Sequence, residues 1–150
     1  MGCQVENMVK SKPQYTELEE FYDIAKKLSN KYFDLFGTRD NSRIRSFAIM
    51  NKSRQDDSNP WWSIIQVREP LCDIFNVDYV FKLFLTDWES LLEKSKYLLV
   101  ADALLSIDPV NERVKKFDVQ DHSLMIRNFG LGYLESDVVP DILNDKFEWK

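Results

Sequence analysis

The side chains best suited to chemistry in this sequence are a carboxylate and an imidazole four residues apart. Asp118 and His122 fall on one face of a predicted helix, where a carboxylate can orient a histidine as a general base or share a metal ion with it. His122 is the single histidine of the chain, whereas hydrolytic zinc usually takes three protein ligands. A metal-dependent hydrolase would therefore need an atypical set drawn from Asp102, Asp118, Asp121 and His122. The alternative is that neither side chain is catalytic, and that Asp118 is a helix N-terminal aspartate and His122 a surface or partly buried histidine.

Motifs for other reactions are missing. The sequence has no Gly-x-Ser-x-Gly elbow, and neither Cys3 nor Cys72 stands in an electropositive or helix-start setting near His122. The four glycines include no Gly-Lys-Ser or Gly-Lys-Thr sequence, which excludes a P-loop. The two cysteines lack metal-ligand spacing, which indicates a reduced, cytoplasmic setting. We predict no cofactor.

Three tryptophans are candidates for contact with a partner protein. Trp61 and Trp62 are adjacent, so in a strand their side chains point to opposite faces and at least one indole can be exposed. Trp88 precedes the most apolar helix of the chain. Exposed indoles often anchor protein interfaces. The alternative is that all three belong to the core.

Composition limits the classes of partner. The 150 residues, 44% hydrophobic and 30% charged, are typical of a single domain that folds on a hydrophobic core. The formal net charge of −5 argues against direct nucleic-acid binding and favours a protein partner with a basic surface, such as a nucleic-acid-binding channel. The longest strongly apolar stretch, 97–105, is too short to cross a membrane.

The periodicity predicts which elements position these residues. Residues 1–15 show little apolar periodicity, so we expect a flexible N-terminal segment followed by one domain over residues 16–150. Thr16 and Glu19 form a capping box for a long amphipathic helix that Gly37 ends. Further signals predict three strands over 43–50, 61–67 and 79–85, an apolar helix over 90–106 and a last helix from Asp118 to Gly130.

This order of elements predicts an α+β fold. We expect a small, mainly antiparallel sheet of three to four strands, packed with an N-terminal helix, a buried central helix and a C-terminal helix.

Three segments in the second half of the chain carry a recognisable pattern. The aromatic-rich strand Tyr79-Val80-Phe81-Lys82-Leu83-Phe84-Leu85 leads into an apolar helix with the segment Asp102-Ala103-Leu104-Leu105-Ser106, and Phe117-Asp118-Val119 and Ile126-Arg127-Asn128-Phe129-Gly130 follow. In this order and spacing they resemble the phage metallopeptidase domain, a short zincin-like family found mainly in bacteriophage genomes. The resemblance implies a zincin-like fold.

The residues that would bind zinc in that family are replaced here. The family has His-Glu-x-x-His on the apolar helix and a third histidine in a later His-Asp-Val. The resemblance places Asp102 and Ser106 at the first two histidines, Ala103 at the general base and Phe117 at the third histidine. These groups offer too few donors for zinc and no base for a bound water. We therefore predict a pseudo-metallopeptidase without a metal. The alternative is an unrelated α+β domain with Asp102 and Ser106 hydrogen-bonded in its core.

A zincin scaffold without its metal site is expected to act by recognition. The edge strand that lines a zincin cleft can pair with an extended segment of another protein. Because the resemblance implies a phage setting, we expect a protein that binds and inhibits a host protein by steric occlusion in the host cytoplasm. Anti-phage defence and nucleic-acid-processing proteins are the expected targets. An atypical hydrolase and a structural or assembly subunit remain as alternatives.

Overall fold

The structure is a computed structural model, and it describes residues 12–36, 41–56, 59–107, 123–130 and 132–150. The described strands are β1 (Tyr15–Glu17), β2 (Ile44–Ile49), β3 (Trp62–Gln66) and β4 (Tyr79–Phe84). The described α-helices are α1 (Glu19–Lys31), α2 (Phe33–Phe36), α3 (Leu71–Phe75), α4 (Leu85–Ser90), α5 (Glu93–Leu105) and α6 (Ser123–Phe129). Single turns of 3-10 helix cover Asn41–Arg43, Arg54–Asp56 and Tyr133–Glu135.

The four strands form one sheet in the order β1-β2-β4-β3. The two central strands, β2 and β4, are parallel. β1 pairs antiparallel with β2, and β3 pairs antiparallel with β4. The protein is therefore an α+β domain with a small, mainly antiparallel sheet, and this prediction is confirmed.

The sheet has one covered and one open face. In β4, Tyr79, Phe81 and Leu83 are buried, because successive strand residues alternate between the faces of a sheet. Phe81 packs against Phe21 of α1, with ring centroids 5.0 Å apart. The alternate residues of β4 are only partly buried and lie on the open face: Val80, Lys82 and Phe84.

Helix α5 is the centre of the core. Every residue from Tyr97 to Leu104 is buried, and the helix contacts α1, α2, β3 and the Tyr133–Glu135 turn. A helix that is apolar on all sides needs such an environment, and the predicted buried central helix is confirmed. Within the described ranges, none of the helices has the length and apolar character that crossing a bilayer requires.

The start of the domain differs from the prediction. Thr16 lies in β1, paired with Ala48, and α1 begins at Glu19 without a side-chain cap. The capping-box pattern is overridden because residues 15–17 form a ladder with β2. The backbone N–H of Gln14 donates to Asn51 Oδ1, whose amide donates to the carbonyl of Lys12. Residues 12–15 are thus hydrogen-bonded to the domain, whereas the sequence predicted that the domain starts at residue 16.

The central helix is also shorter than predicted. The segment 85–90 forms a separate helix, α4, and a break at Leu91 and Leu92 separates it from α5. Gly130 follows α6 with φ of 84°, a conformation that favours glycine, and the predicted end of the last helix is confirmed. Gly37 and the predicted start of that helix at Asp118 lie outside the described residues.

The C-terminal segment contributes to the core although it has little regular structure. Tyr133, Val139 and Ile142 are buried. The hydroxyl of Tyr32 donates to the carbonyl of Ile142 at 2.5 Å, and the ring of Trp149 lies 5.8 Å from that of Phe36. The sequence pattern over 131–140 is irregular and 141–144 suggested only one turn of helix, so these contacts were not predicted.

Candidate functional site

Asp102, at the first position of the predicted metal register, points into the core. Its residue exposure is 0%, and its Oδ2 accepts a 2.5 Å hydrogen bond from the hydroxyl of Tyr133. Tyr133 is itself only 2% exposed and lies in the 3-10 turn that packs on α5. Buried carboxylates are stable only when hydrogen-bonded. Asp102 therefore belongs to an internal polar pair and does not line a solvent-filled cleft.

The next two positions of the register are buried as well. Ala103 is 0% exposed and Ser106 is 1% exposed. The Ser106 hydroxyl donates a long hydrogen bond of 3.5 Å to the backbone carbonyl of Asp102, a contact that serine often makes within a helix. Asp102 and Ser106 are thus hydrogen-bonded in the core, as the alternative interpretation of the sequence expected. The side chain that binds the Asp102 carboxylate, however, is Tyr133.

These residues do not fit a zinc ion. The carboxylate of Asp102 is bound by a tyrosine hydroxyl, and Ala103 and Ser106 provide neither an imidazole nor a second carboxylate. In the part of the chain that the structure describes, no three His, Cys, Asp or Glu side chains lie close enough to share a metal ion. The remaining predicted positions, Phe117, Asp118, Asp121 and His122, lie outside the described residues.

Two of the three candidate anchor tryptophans are in the core, so predicting them as exposed anchors was wrong. Trp62 is 8% exposed and packs edge-on against Phe81. Trp88 is 3% exposed, and its Nε1 donates to Glu20 Oε1 at 3.1 Å. Trp62 is buried because it points to the covered face of the sheet beside Phe81, and Trp88 is buried in α4 with its N–H directed at Glu20 of α1.

Trp61 is partly exposed and takes part in an intramolecular contact. The guanidinium carbon of Arg54 lies 4.0 Å from the centre of its ring, which is a cation–π arrangement. Arg54 also pairs with Asp87 at 3.9 Å and with Glu135 at 3.3 Å. Trp61 therefore helps to hold the loop after β2 in place.

Helix α3, in the connection between β3 and β4, exposes three large apolar side chains. Leu71, Ile74 and Phe75 are exposed by 52%, 64% and 65%. Positions i, i+3 and i+4 share one side of a helix, so these side chains form one surface, which we call the α3 patch. Contiguous exposed apolar surface of this kind marks interaction sites more often than scattered single residues do.

The base of α3 is fixed by Arg43. Its guanidinium donates two hydrogen bonds to the carboxylate of Asp78, at 2.7 and 2.9 Å, and a third of 3.1 Å to the carbonyl of Cys72 inside α3. The hydrogen bond with Asp78 raises the pKa of Arg43 above its ordinary value. Asn76 ends the helix in the left-handed conformation, with φ of 54°. The α3 patch is therefore presented on a rigid support.

A cavity of about 730 Å³ lies beside this support. Arg68, Glu69 and Asp78 contribute charged groups to its lining, and Cys72 and Tyr79 contribute to its wall. The apolar α3 patch and the polar cavity beside it together form a surface that a complementary protein surface can match.

The sequence contained a partial signal for the α3 patch. The spacing of the apolar residues in Leu71-Cys72-Asp73-Ile74-Phe75, directly after Pro70, is compatible with a helical turn. Because apolar runs are usually buried, nothing in the spacing showed that this one faces solvent.

The chain matches no protein-family model, no curated protein and no solved structure. The resemblance to the zincin-like phage domain consequently stays a prediction.

Proposed function

We propose that this protein is a non-catalytic, zincin-like protein of phage type that binds a host protein and inhibits it by steric occlusion. The observation that carries the proposal is the α3 patch, three large apolar side chains exposed on a rigidly held turn of helix. Burying such side chains against a partner contributes roughly 1.5–3 kcal/mol each. A surface that is already ordered loses little conformational entropy on binding.

The environment of Asp102 supports a non-catalytic role. Asp102 stands where the resembled family has the first histidine of its metal site. A metal-bound water needs an open coordination position and a nearby base. Asp102 instead holds the Tyr133 hydroxyl in the core, and the base position is Ala103. This arrangement is compatible with binding of a partner protein without catalysis.

Charge supports a basic partner. The formal net charge is −5, and an acidic protein approaches a positively charged surface faster than a neutral one does. Proteins that process nucleic acids carry such surfaces, so we propose a bacterial defence or nucleic-acid-processing protein as the target. We place the interaction in the host cytoplasm, where a free cysteine such as Cys72 stays reduced.

Affinity capture with matched variants tests the proposal. Tagged wild-type protein, Phe75→Ser and Phe33→Ser are used to capture proteins from a bacterial lysate. Phe33 is 62% exposed and lies in α2, so its substitution removes the same amount of apolar surface from another place. We expect a protein that co-purifies with wild type and Phe33→Ser and is lost with Phe75→Ser. Equal capture by all three would contradict the α3 patch as the contact surface.

A further inference from the structure

A second cavity, of about 320 Å³, lies at the end of the sheet where both central parallel strands finish. Its lining comes from all four strands and from the loop between β2 and β3. We call it the sheet-end cavity. It is distinct from the α3 patch, which lies in the β3–β4 connection, and its volume suits a small organic molecule.

The floor of the sheet-end cavity is apolar and aromatic. Ile49 and Phe84 are paired at the ends of β2 and β4, and Tyr15 of β1 pairs with Ile49, so the three residues form one row across the sheet. Pro13 and Pro60 add apolar walls. A flat apolar body can pack against such a row.

The polar groups of the cavity carry positive charge. Lys82 lies in β4, directly opposite Ser63 of β3, and Lys52 comes from the loop after β2. Among the residues the structure describes, neither ammonium group forms a salt bridge, and no aspartate or glutamate lines the cavity. The hydroxyl of Ser63 and the amide of Asn59 add neutral hydrogen-bonding groups.

The wall of the cavity is fixed before any ligand binds. The Met50 N–H donates to the carbonyl of Gln14 at 2.8 Å, and the Asn59 N–H donates to the carbonyl of Arg54 at 2.7 Å. The backbone of Arg54 is in turn held by Asp87 Oδ2 at 2.7 Å. These bonds tie both ends of the described loop to β1 and α4. A preformed cavity is the usual condition for specific binding of a small ligand.

We propose that the sheet-end cavity binds a small organic anion with a flat apolar body. Its ring would pack on the row of Tyr15, Ile49 and Phe84, and its acid group would bind Lys52 and Lys82, with Ser63 as a further donor. An aromatic carboxylate and a nucleoside monophosphate share this chemistry.

The test uses the full-length chain and defined probes. The probes are 2-naphthoate, adenosine monophosphate, the neutral analogue 2-naphthalenemethanol, and inorganic phosphate alone. Amide chemical-shift mapping by NMR locates each probe, and titration gives its affinity. We expect 2-naphthoate or adenosine monophosphate to shift the amides of residues 49, 63, 82 and 84, and the preferred one identifies the acid group. Neither the neutral analogue nor inorganic phosphate should bind as tightly.

Variants make the result decisive. Because a hydrogen bond between two charged groups is stronger than one between neutral groups, Lys82→Met should weaken binding of the anionic probe by about tenfold or more. Lys52→Met, in a loop, should act in the same direction without a change in β4. Lys146→Met removes an equal charge from an exposed position outside the cavity and should leave affinity unchanged. Equal affinity for the neutral and anionic probes, an unchanged affinity in both cavity variants, or shifts confined to other residues would overturn the proposal. None of these outcomes depends on the α3 patch.

Discussion

The hydroxyl of Tyr133 and the carboxylate of Asp102 form a 2.5 Å hydrogen bond between two side chains that are shielded from solvent. The bond joins the last turn of the central helix to a turn 31 residues later in the chain. It occupies a carboxylate that the family resemblance would otherwise assign to a metal site. The same contact thus ties the C-terminal segment to the core and accounts for the polar residue in an apolar helix.

Removing the Tyr133 hydroxyl should destabilise the protein. Tyr133→Phe leaves a buried carboxylate without this donor, and we expect the free energy of unfolding to fall by about 1.5–3 kcal/mol. Urea denaturation followed by circular dichroism measures the change. Tyr15→Phe, at a position 49% exposed, is the control and should change stability by less than about 0.5 kcal/mol. A Tyr133→Phe protein as stable as wild type would show that the contact does not stabilise the core.

Metal removal should have no effect on the folded protein. After dialysis against a chelator, we expect substoichiometric zinc by elemental analysis and an unchanged Tm, because the Asp102 register has too few donors. The matched variants are Asp102→Asn and His122→Ala. One zinc ion per chain that is lost in either variant, together with hydrolytic activity, would instead establish the atypical hydrolase.

Loosening α3 should weaken binding while the apolar side chains of the α3 patch stay in place. Arg43→Met removes the hydrogen bonds to Asp78 and to the carbonyl of Cys72. We expect faster amide hydrogen exchange in residues 71–77 and a weaker complex with the captured protein, since an ordered surface loses less entropy on binding. Arg43→Lys should give an intermediate result, because lysine cannot make the bidentate contact. Unchanged exchange in Arg43→Met would rule out Arg43 as the support.

Alkaline pH should destabilise the fold. Burial is the main cause that raises the pKa of Tyr22 above 10.0 in the folded protein, and the pKa values of Tyr32 and Tyr97 are raised for the same main reason. A raised pKa means that the unfolded chain loses these protons first, so the contribution to stability is complete below pH 10 and is lost as pH rises through the folded values. Thermal unfolding measured from pH 8 to pH 11 should show Tm falling above pH 10.

Tyr22→Phe is the matched variant for that measurement. It removes one of the three titrating groups, so its Tm should fall less steeply above pH 10 than that of wild type. Parallel curves for the two proteins would assign the alkaline loss to other groups, such as the lysines.

Much of the fold follows from periodicity, and most of the surface does not. The strand at 79–84 was predicted from a short run of apolar and aromatic residues, and the central helix from a longer run that is apolar on all sides. β1 was missed because three residues carry too little pattern, and its pairing with β2 depends on distant backbone. Asp102 was singled out by its place in the resemblance, but its partner Tyr133 lies in an irregular segment that no periodicity connects to α5.

The exposure of individual aromatic side chains could not be predicted from the sequence either. Trp62 and Phe75 are both large and aromatic, and the sequence made only the tryptophan a candidate for an exposed anchor. Exposure is decided by which face of the sheet the helices cover and by how α3 is held at Arg43, and both depend on tertiary contacts.

The proposed function is tested most directly by measuring how the α3 patch affects binding and inhibition of the captured host protein. Calorimetric titration and an activity assay of that protein are carried out with wild type, Phe75→Ser and Phe33→Ser. We expect wild type and Phe33→Ser to bind and inhibit equally, and Phe75→Ser to bind about tenfold or more weakly, since roughly 1.5–3 kcal/mol of apolar burial is lost. Equal binding by all three proteins, or turnover of the host protein by wild type, would contradict the proposed function.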